Sequence, residues 1–209
     1  MEKKIKQKED LRTVILEAAK KLFVQEGYES TSIRKIAKEI GFSPTTIYLY
    51  YKDKSDIVYA LHQVGFGMLK DQFLPLMAVE DPFERLKAVG RNYIQFAFMH
   101  PEYYQVMFMM KEPLSFLNSQ IEDSSWVEGE LVIELLKKTI IDCQEVGYFK
   151  GMDPVFVTIQ AWSSVHGLVS LHITQHLDCL HELFGKTGNL EEHVFSSFQI
   201  LVGLIQATK

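Results

Sequence analysis

Apolar side chains recur along most of this 209-residue chain at intervals of three and four positions, the spacing of one face of an α-helix. No stretch alternates apolar and polar residues in the way a half-buried β-strand does. The pattern therefore predicts an all-α protein of about nine helices. Their expected bounds are residues 10–26, 32–40, 44–50, 54–77, 82–99, from 101 onward, 118–146, 153–183 and 189–207.

Capping residues and a glycine place the ends of the short second and third helices. Gly41 is predicted to end the second helix in a left-handed conformation, and Ser30 or Thr31 is predicted to cap its start. Ser43 is a favourable N-cap residue, and Pro44 fits the first helical position, where no amide donor is needed. A third short helix is therefore expected directly after the turn.

These two helices, within residues 32–51, have the form of a helix-turn-helix, whose second helix enters the DNA major groove. The short residues Pro44, Thr45 and Thr46 would let the backbone approach the base edges, and threonine can read a base or contact a thymine methyl. Donors suited to phosphates on either side of the groove are carried by Arg34, Tyr48, Tyr50 and Lys54. The same spacing occurs in ordinary helical cores, so the motif alone leaves both interpretations open.

The distribution of charge indicates a basic binding module on an acidic body. The formal net charge of −5 taken alone argues against a nucleic-acid partner. Residues 1–54 hold 12 Lys and Arg against 8 Asp and Glu, a net charge of +4, whereas residues 55–209 hold 10 against 19, a net charge of −9. We therefore predict a DNA-binding domain at 1–54 and a second domain at 55–209, with the helix at 54–77 as connector.

The N-terminal arm is basic as well, and it is either a frayed terminus or a phosphate contact. Its lysines are Lys3, Lys4, Lys6 and Lys8.

Cysteine content and hydropathy bear on the compartment. Cys143 and Cys179 are too few for a disulfide framework or a four-cysteine zinc site, which favours a reducing environment. The first eleven residues are charged with no apolar run behind them, and no apolar run of about 18 residues follows. We therefore predict a cytoplasmic protein with no signal peptide and no membrane partner.

Residues 93–117 hold eleven aromatic or methionine side chains, more than one buried helical stripe needs. Flat rings and flexible thioethers suit an adaptable apolar cavity, and tyrosine hydroxyls can orient the polar end of a ligand. We predict a site for a small apolar molecule, with an ordinary aromatic core as the alternative. The predicted ligand-binding residues are Tyr93, Phe96, Tyr103, Met107, Trp126, Trp162 and His166.

The run TSIRKIAKEIGFSPTTIYLYYKDKSDI, with ILEAAKKLFVQEGYEST ahead of it, resembles the N-terminal signature of the TetR family of bacterial regulators. The resemblance implies a dimer that binds a palindromic operator through the third helix, and a ligand in the helical C-terminal body that loosens the complex with DNA. Phe42 and Tyr51 differ from residues that many relatives carry, and both are predicted to lie in the core. The DNA face that the resemblance implies consists of Arg34, Ser43, Pro44, Thr45, Thr46, Tyr48, Tyr50 and Lys54.

Two later segments, HPEYYQVMF at 100–108 and Trp162-Ser-Ser-Val-His166-Gly167, resemble the C-terminal domain of a TetR subgroup with a Trp-x-x-x-His-Gly element. This resemblance implies that Trp162 and His166 lie on the eighth helix, where Gly167 would permit close helix approach. The last two helices would pair with their symmetry mates in a four-helix homodimer interface. Their apolar residues include Val155, Leu168, Leu171, Val194, Phe198, Leu201 and Ile205.

The sequence contains few candidate metal ligands and none of the catalytic motifs considered below. His172, His176 and Cys179 follow the i, i+4, i+7 spacing of one helical face and are candidate transition-metal ligands. The sequence places no acidic fourth ligand beside them, so we predict no metal site and no cofactor. The motifs G-x-S-x-G, H-E-x-x-H and G-x-G-x-x-G are absent.

Together these features predict a ligand-responsive, DNA-binding transcriptional repressor that is not an enzyme. Its expected partners are a double-stranded DNA operator, a second copy of the chain and a small apolar effector. The alternative from a different class is a helical-bundle enzyme or lipid carrier whose helix-turn-helix resemblance is fortuitous.

Overall fold

The structure, a computed structural model, describes residues 2–119, 126–185 and 188–209, without the side chains of residues 2–9, 118, 119 and 181. The described residues form eleven α-helices, one 3-10 helix and no β-strand, which confirms the all-α fold. No helix in these ranges is long and apolar enough to cross a membrane. The α-helices are α1 (Glu2–Glu26), α2 (Ile33–Glu39), α3 (Pro44–Tyr48), α4 (Lys54–Phe73), α5 (Pro82–Met99), α6 (Pro101–Phe108), α7 (Glu112–Ser119), α8 (Val127–Glu145), α9 (Pro154–Ile173), α10 (His176–Leu183) and α11 (Leu190–Gln206).

The chain forms two compact units. The first comprises Met1–Gly67 with Glu102–Val127, and the second comprises Met68–Pro101 with Glu128–Lys209. The predicted functional boundary at Lys54 rests on charge and motif, and it stays a prediction.

The first unit is built around apolar residues of its short helices. Helices of seven and five residues are not stable alone, so α2 and α3 depend on packing. Ile36 and Ala37 of α2, Ile47 of α3 and Ile15 of α1 are all buried. This shared core fixes α3 relative to α1 and α2, and it leaves the other face of α3 exposed.

The cap of α2 differs from the expected one. Ser32, and not Ser30 or Thr31, is the N-cap, and its side chain accepts a hydrogen bond from the amide three residues on, at 3.2 Å. The buried hydroxyl of Thr31 donates instead to the carbonyls of Leu22 and Gly27, at 3.2 and 2.9 Å. Thr31 therefore holds the end of α1, which makes it unavailable as a cap.

Two of the expected long helices are shorter than predicted. The helix expected at 54–77 ends at Phe73, and Leu74–Ala78 forms a 3-10 helix, because Pro75 has no amide to continue the α-helical hydrogen bonds. The helix expected at 153–183 breaks at Gln175, whose φ of +61° is left-handed, so α9 and α10 are separate helices. Residues 120–125 of the helix expected at 118–146 lie outside the described residues, and α8 begins at Val127.

The second unit packs α5 on α9 and α9 on α11. Gly90 of α5 lies directly against the buried ring of Phe198 on α11. A Cβ added to Gly90 would meet Cε2 of Phe198 at 2.7 Å and Cζ at 2.9 Å, closer than carbon atoms normally approach. The absence of a side chain at Gly90 therefore permits the approach of these two helices.

We expect Gly90→Ala to lower the free energy of unfolding by about 1–2 kcal/mol, because overpacking against Phe198 outweighs the helix propensity that alanine adds. The matched control is Gly67→Ala in α4, where an added Cβ meets no atom of the described structure within 4 Å. Gly67→Ala is expected to raise the free energy of unfolding by up to about 1 kcal/mol. Urea unfolding of both variants checks the opposite signs, and equal stabilisation by the two would contradict the close helix approach.

Candidate DNA-binding face and effector site

Helix α3 begins with the cap that the sequence predicts. The hydroxyl of Ser43 accepts a hydrogen bond from the amide of Thr46 at 3.2 Å and lies 3.0 Å from the hydroxyl of Thr46. Pro44 occupies the first turn, and the preceding Gly41 has a left-handed φ of +71°. The turn thus presents the start of α3 in one defined orientation.

The outer face of α3 is exposed although it carries large side chains. Tyr48 is 57% exposed and Leu49 is 73% exposed, and Thr45 is exposed beside them. Sequence reasoning gave Leu49 no role. The available signal was its position, since Leu49 lies off the face that Ile47 buries. A capped short helix with its outer face open to solvent is the form that enters a DNA groove.

The two residues that differ from the family pattern have different surroundings. Tyr51 is buried, as predicted. Phe42, which was also predicted to be core, is 47% exposed, so that prediction is wrong. Phe42 follows Gly41 in the turn between α2 and α3, on the chain segment that leads directly to the exposed face of α3.

The predicted phosphate-contacting residues differ in exposure and in the hydrogen bonds that they already make. Arg34 of α2 is exposed, and Tyr50 is half-buried. The ammonium of Lys54 donates to the carbonyls of Tyr28 at 2.7 Å and Thr31 at 3.1 Å, and it lies 3.9 Å from the centre of the Tyr28 ring. Lys54 therefore fastens the start of α4 to the segment after α1, with two of its three N–H groups engaged.

In the second unit, three predicted ligand-binding residues lie together. The indole N–H of Trp162 donates to Oη of Tyr93 at 3.2 Å, and that Oη lies 2.9 Å from Nδ1 of His166. Burial lowers the pKa of His166, which favours the neutral ring. Phe96 is fully buried in the same unit. The polar atoms of this cluster are thus bonded to one another across α5 and α9.

In the first unit, Tyr103 belongs to a cluster between α1 and α6. Its hydroxyl donates to Oε1 of Glu17 at 2.8 Å, and the ammonium of Lys20 lies 4.1 Å from the centre of its ring. Lys20 also forms ion pairs with Glu17 at 2.7 Å and with Glu102 at 3.6 Å. Burial, together with the hydrogen bond to Glu17, raises the pKa of Tyr103. The hydroxyl of Tyr103 is therefore already engaged within the protein.

Trp126 and Met107 lie in a separate aromatic cluster of the first unit. The Trp126 ring packs edge-on against Phe66 at 5.2 Å between centroids, and Met107 lies against Gly65 of α4. The same cluster contains His62, which is 1% exposed and whose ring centroid lies 6.1 Å from that of Trp126. Sequence reasoning missed His62, although its position four residues before Phe66 places both on one face of α4.

The second unit also has an open cavity of about 410 Å³ between α9, α11 and the turn before α9. Its lining contains no predicted ligand-binding residue. The apolar lining includes Phe149, Met152, Phe156, Val157, Ala161, Leu201 and Ile205.

The candidate metal ligands do not share a helix. His172 lies on α9, whereas His176 and Cys179 lie on α10 beyond the break at Gln175, so the expected single helical face is wrong. Nδ1 of His176 lies 2.8 Å from the hydroxyl of Thr174. No group of three or more His, Cys, Asp or Glu side chains in the described part of the chain is arranged to hold a metal ion.

An all-helical chain with a capped, outward-facing helix-turn-helix near its start defines a helix-turn-helix regulator. Residues 15–61 match the bacterial regulatory proteins of the tetR family, and residues 86–198 match the tetracyclin repressor-like C-terminal domain. The second match alone covers more than half of the chain. The chain belongs to the TetR family.

Curated relatives resemble the N-terminal part. An HTH-type transcriptional regulator of Staphylococcus aureus strain USA300 is 45% identical over 69 residues, which cover 30% of this chain and 37% of that protein. The corresponding regulator of strain MRSA252 is 41% identical over the same length. The chain thus matches just over a third of the length of these relatives. The family that the chain matches consists of bacterial regulatory proteins.

Solved structures share the whole fold. The fatty acid degradation regulator FadR from Bacillus halodurans has a TM-score of 0.72 at 21% identity, with 91% of this chain and 94% of that chain covered. FadR from Bacillus subtilis, solved in complex with stearoyl-CoA, has a TM-score of 0.71 at 18% identity over 91% and 97%. PfmR from Thermus thermophilus has a TM-score of 0.67 at 18% identity over 90% and 96%. At these identities the likeness concerns the fold alone.

Proposed function

We propose that the protein is a dimeric repressor that binds a palindromic operator through α3 and is released by a small apolar effector. The observation that carries this proposal is the exposed surface formed by Thr45 and Tyr48 on α3 and by Leu49 directly after it. The major groove of DNA is about 12 Å wide and admits one helix. The short side chains at the start of α3, Pro44, Thr45 and Thr46, let its backbone approach the base edges.

The exposed residues of α3 and the residue that follows it are proposed to make the base-specific contacts. The Thr45 hydroxyl and methyl suit a base edge or a thymine methyl, and the exposed Leu49 suits an apolar contact with thymine. Thr46 is half-buried and bonded to Ser43, so it orients the start of the helix and offers its methyl group to the groove.

Residues on and beside α3 are proposed to contact the phosphates of the DNA backbone. Arg34 is exposed on α2, and Tyr48 is exposed on α3, so both can donate to phosphate oxygens on either side of the groove. Tyr50 and Lys54 lie at the end of the motif, and Lys54 also holds it to the segment after α1. These contacts position the protein without reading sequence.

Arg34→Ala is expected to weaken DNA binding on all sequences, because it removes a phosphate contact from each subunit. Leu49→Ala is expected to change the preferred bases, with about 1–3 kcal/mol less discrimination at one position in each half-site. Selection from a randomised DNA pool, followed by titration of the selected sites, measures both effects. The matched control is Arg91→Ala, which removes one exposed charge from α5 in the second unit.

Two outcomes would contradict this division of roles. The first is an unchanged base preference in Leu49→Ala. The second is an equal loss of affinity in Arg34→Ala and Arg91→Ala, which would make the effect of Arg34 a matter of net charge only.

A dimer through the last helices is supported by the exposed apolar surface of α9 and α11. Ile200 and Leu204 of α11 are 68% and 66% exposed, and Phe156 and Ile159 of α9 are also exposed. Large apolar side chains at helical spacing on neighbouring helices are typical of a protein interface. Two-fold pairing of this surface would bury it and would repeat α3 at the spacing of a palindrome.

Leu204→Glu is expected to convert the dimer to monomer, because each copy would bury a carboxylate in an apolar interface. The matched control is Leu74→Glu, at an exposed leucine outside α9 and α11. Sedimentation equilibrium measures the mass of each variant. A dimer in Leu204→Glu that is as stable as in the control would contradict an interface through α11.

An apolar effector is supported by the aromatic and methionine-rich interior of both units. The fold is shared with the Bacillus subtilis regulator solved with stearoyl-CoA. The proposed ligand-binding residues are Tyr93, Phe96, Trp162 and His166 in the second unit, and Tyr103, Met107 and Trp126 in the first.

Release from DNA follows from the geometry of a palindrome. Two recognition helices must lie about 34–36 Å apart, or a multiple of that distance, to enter successive major grooves. An effector that binds better to a dimer with another spacing shifts the population away from the operator-binding form. Operator affinity that stays constant as a bound effector is titrated would contradict this mechanism.

A further inference from the structure

We propose that Phe42 packs against the deoxyribose of the operator backbone and thereby positions α3 in the major groove. The inference rests on the proposed function, since it names a further part of the DNA that the same helix-turn-helix contacts. It adds an apolar contact to the polar phosphate contacts of the motif.

The first observation is the exposure of the Phe42 side chain on an ordered turn. Phe42 is 47% exposed. Its amide donates to the carbonyl of Ala37 at 2.9 Å, and the amide of Gly41 donates to the carbonyl of Lys38 at 3.3 Å. These hydrogen bonds fix the backbone that carries the ring to α2. Little backbone entropy is therefore lost when the ring meets a partner.

Other rings of the first unit have partners within the protein. The ring of Tyr28 lies 5.4 Å from that of Phe23 between centroids, and the buried ring of Tyr51 lies 5.5 Å from the guanidinium of Arg12. Phe42 keeps about half of its surface in water instead. Single exposed apolar side chains are common on proteins, so the position of Phe42 decides what its ring can contact.

Phe42 lies between two helices that take different places on DNA. In a helix-turn-helix, the first helix crosses the DNA backbone and the second lies in the major groove. Phe42 is in the turn between α2 and α3, one residue before the N-cap Ser43. In this docking geometry the turn lies at the edge of the groove, over a sugar–phosphate strand. A phenyl ring offers no donor to a phosphate oxygen, so its partner there is the apolar surface of the deoxyribose.

The charge of the helix before Phe42 favours DNA as the partner over an apolar protein surface. Two ion pairs engage one acidic and one basic residue of α2, and they are Lys21–Glu39 at 2.7 Å and Lys35–Glu26 at 2.6 Å. The other two charged side chains of α2, Arg34 and Lys38, are exposed cations. An apolar ring beside exposed cations suits a partner that combines C–H surface with negative charge, which describes the sugar–phosphate backbone.

A salt series on a selected operator tests this contact. Phe42→Ala removes the apolar contact from both subunits and is expected to weaken binding about tenfold or more. No phosphate contact is lost, so the log–log slope against salt is expected to stay within about 0.5 of that of the unchanged protein. The base preference in a randomised pool is expected to stay the same, because a sugar contact carries no sequence information.

Two variants serve as comparisons. Phe42→Leu keeps an apolar side chain and is expected to bind within about threefold of the unchanged protein. The matched control is Phe184→Ala, which removes a phenylalanine that is 67% exposed in the second unit and is expected to leave operator affinity unchanged.

A measurement on the unchanged protein makes the test independent of how the variants fold. Nuclear Overhauser effects between the ring protons of Phe42, assigned with Phe42→Leu, and deoxyribose protons are expected in the operator complex. Effects to a thymine methyl alone would overturn the inference.

Three further outcomes would overturn it. They are equal affinity of Phe42→Ala and Phe184→Ala, a loss in Phe42→Leu as large as in Phe42→Ala, and a changed salt slope or base preference in Phe42→Ala. The last outcome would mean that Phe42 acts on the orientation of α3 or on a base edge. If the unchanged protein selects no operator, the proposed function itself fails, whereas an operator bound equally well by Phe42→Ala overturns this inference alone.

Discussion

Replacement of Arg85 by methionine is expected to lower the free energy of unfolding by about 3 kcal/mol or more, because it breaks a buried ion pair by removing one partner. Arg85 is buried in the second unit, its Nη2 binds the carboxylate of Asp142, and its Nη1 donates to the carbonyl of Val79 at 3.1 Å. Without Arg85, the one ion pair that the described residues still give the Asp142 carboxylate is with the exposed Lys138, at 2.8 Å. The remaining charge would then be largely uncompensated.

Urea unfolding measures this loss of free energy of unfolding, and two further variants serve as comparisons. Lys137→Met breaks the exposed pair of Lys137 with Glu134, at 3.1 Å, and is expected to cost under about 1 kcal/mol. The double variant Arg85→Met with Asp142→Leu removes both charges and is expected to recover part of the loss. If Arg85→Met costs no more than Lys137→Met, Arg85 does not hold the second unit together in the way the structure indicates.

The second prediction is a loss of stability at acidic pH that is caused by His62. The pKa of His62 in the folded protein is about 4 because of burial, compared with 6.5 for a solvated histidine. Between these values the unfolded chain binds the proton more tightly, so the free energy of unfolding falls as the pH is lowered from about 6.5 towards 4. The contribution of His62 is fully present above pH 6.5. At about 1.4 kcal/mol per pKa unit, its loss amounts to roughly 3 kcal/mol.

His62→Phe isolates this contribution, because phenylalanine keeps a ring among the neighbouring aromatic side chains and cannot be protonated. The variant is expected to lose less stability than the unchanged protein between pH 7 and pH 4.5. The control is His176→Phe, at an exposed histidine, which is expected to lose as much stability as the unchanged protein. Parallel losses in the unchanged protein and in His62→Phe would show that His62 does not govern the acid response.

Several features of the fold that depend on neighbouring residues were predictable, although the cap of α2 proved to be Ser32. Ser43 and Pro44 begin α3, Asp81 caps α5 through the amides of Phe83 and Glu84, and Pro101 opens α6. The Ser43 and Asp81 side chains accept hydrogen bonds from amides within three residues, and proline fits the first helical turn because it has no amide that needs a partner.

Features that depend on tertiary contacts were not predictable. Lys54 had the spacing of a phosphate contact, and only the fold brings its ammonium to the carbonyls of Tyr28 and Thr31. Phe42 had the hydrophobicity of a core residue, and the turn leaves it exposed. Glutamine is not a residue type that favours a left-handed conformation, so the sequence did not predict the break between α9 and α10 at Gln175.

The candidate effector site also depends on tertiary contacts that the sequence of residues 93–117 does not reveal. Composition predicted a site rich in rings and methionines, and the structure places its members in two units. Tyr93, Trp162 and His166 bond to one another, whereas Trp126 has a buried indole N–H without a partner among the described residues. Hydrogen-bond pairing, which composition does not encode, separates these two groups.

We propose that α3 and its flanking residues bind DNA, and a salt series on a selected operator measures this binding. A dimer with several phosphate contacts in each half should lose affinity with a log–log slope of about −5 or steeper between 50 and 200 mM salt. Arg34→Ala should flatten the slope by about 2, since it removes one contact from each subunit. A slope near zero, or one that Arg34→Ala leaves unchanged, would contradict the claim.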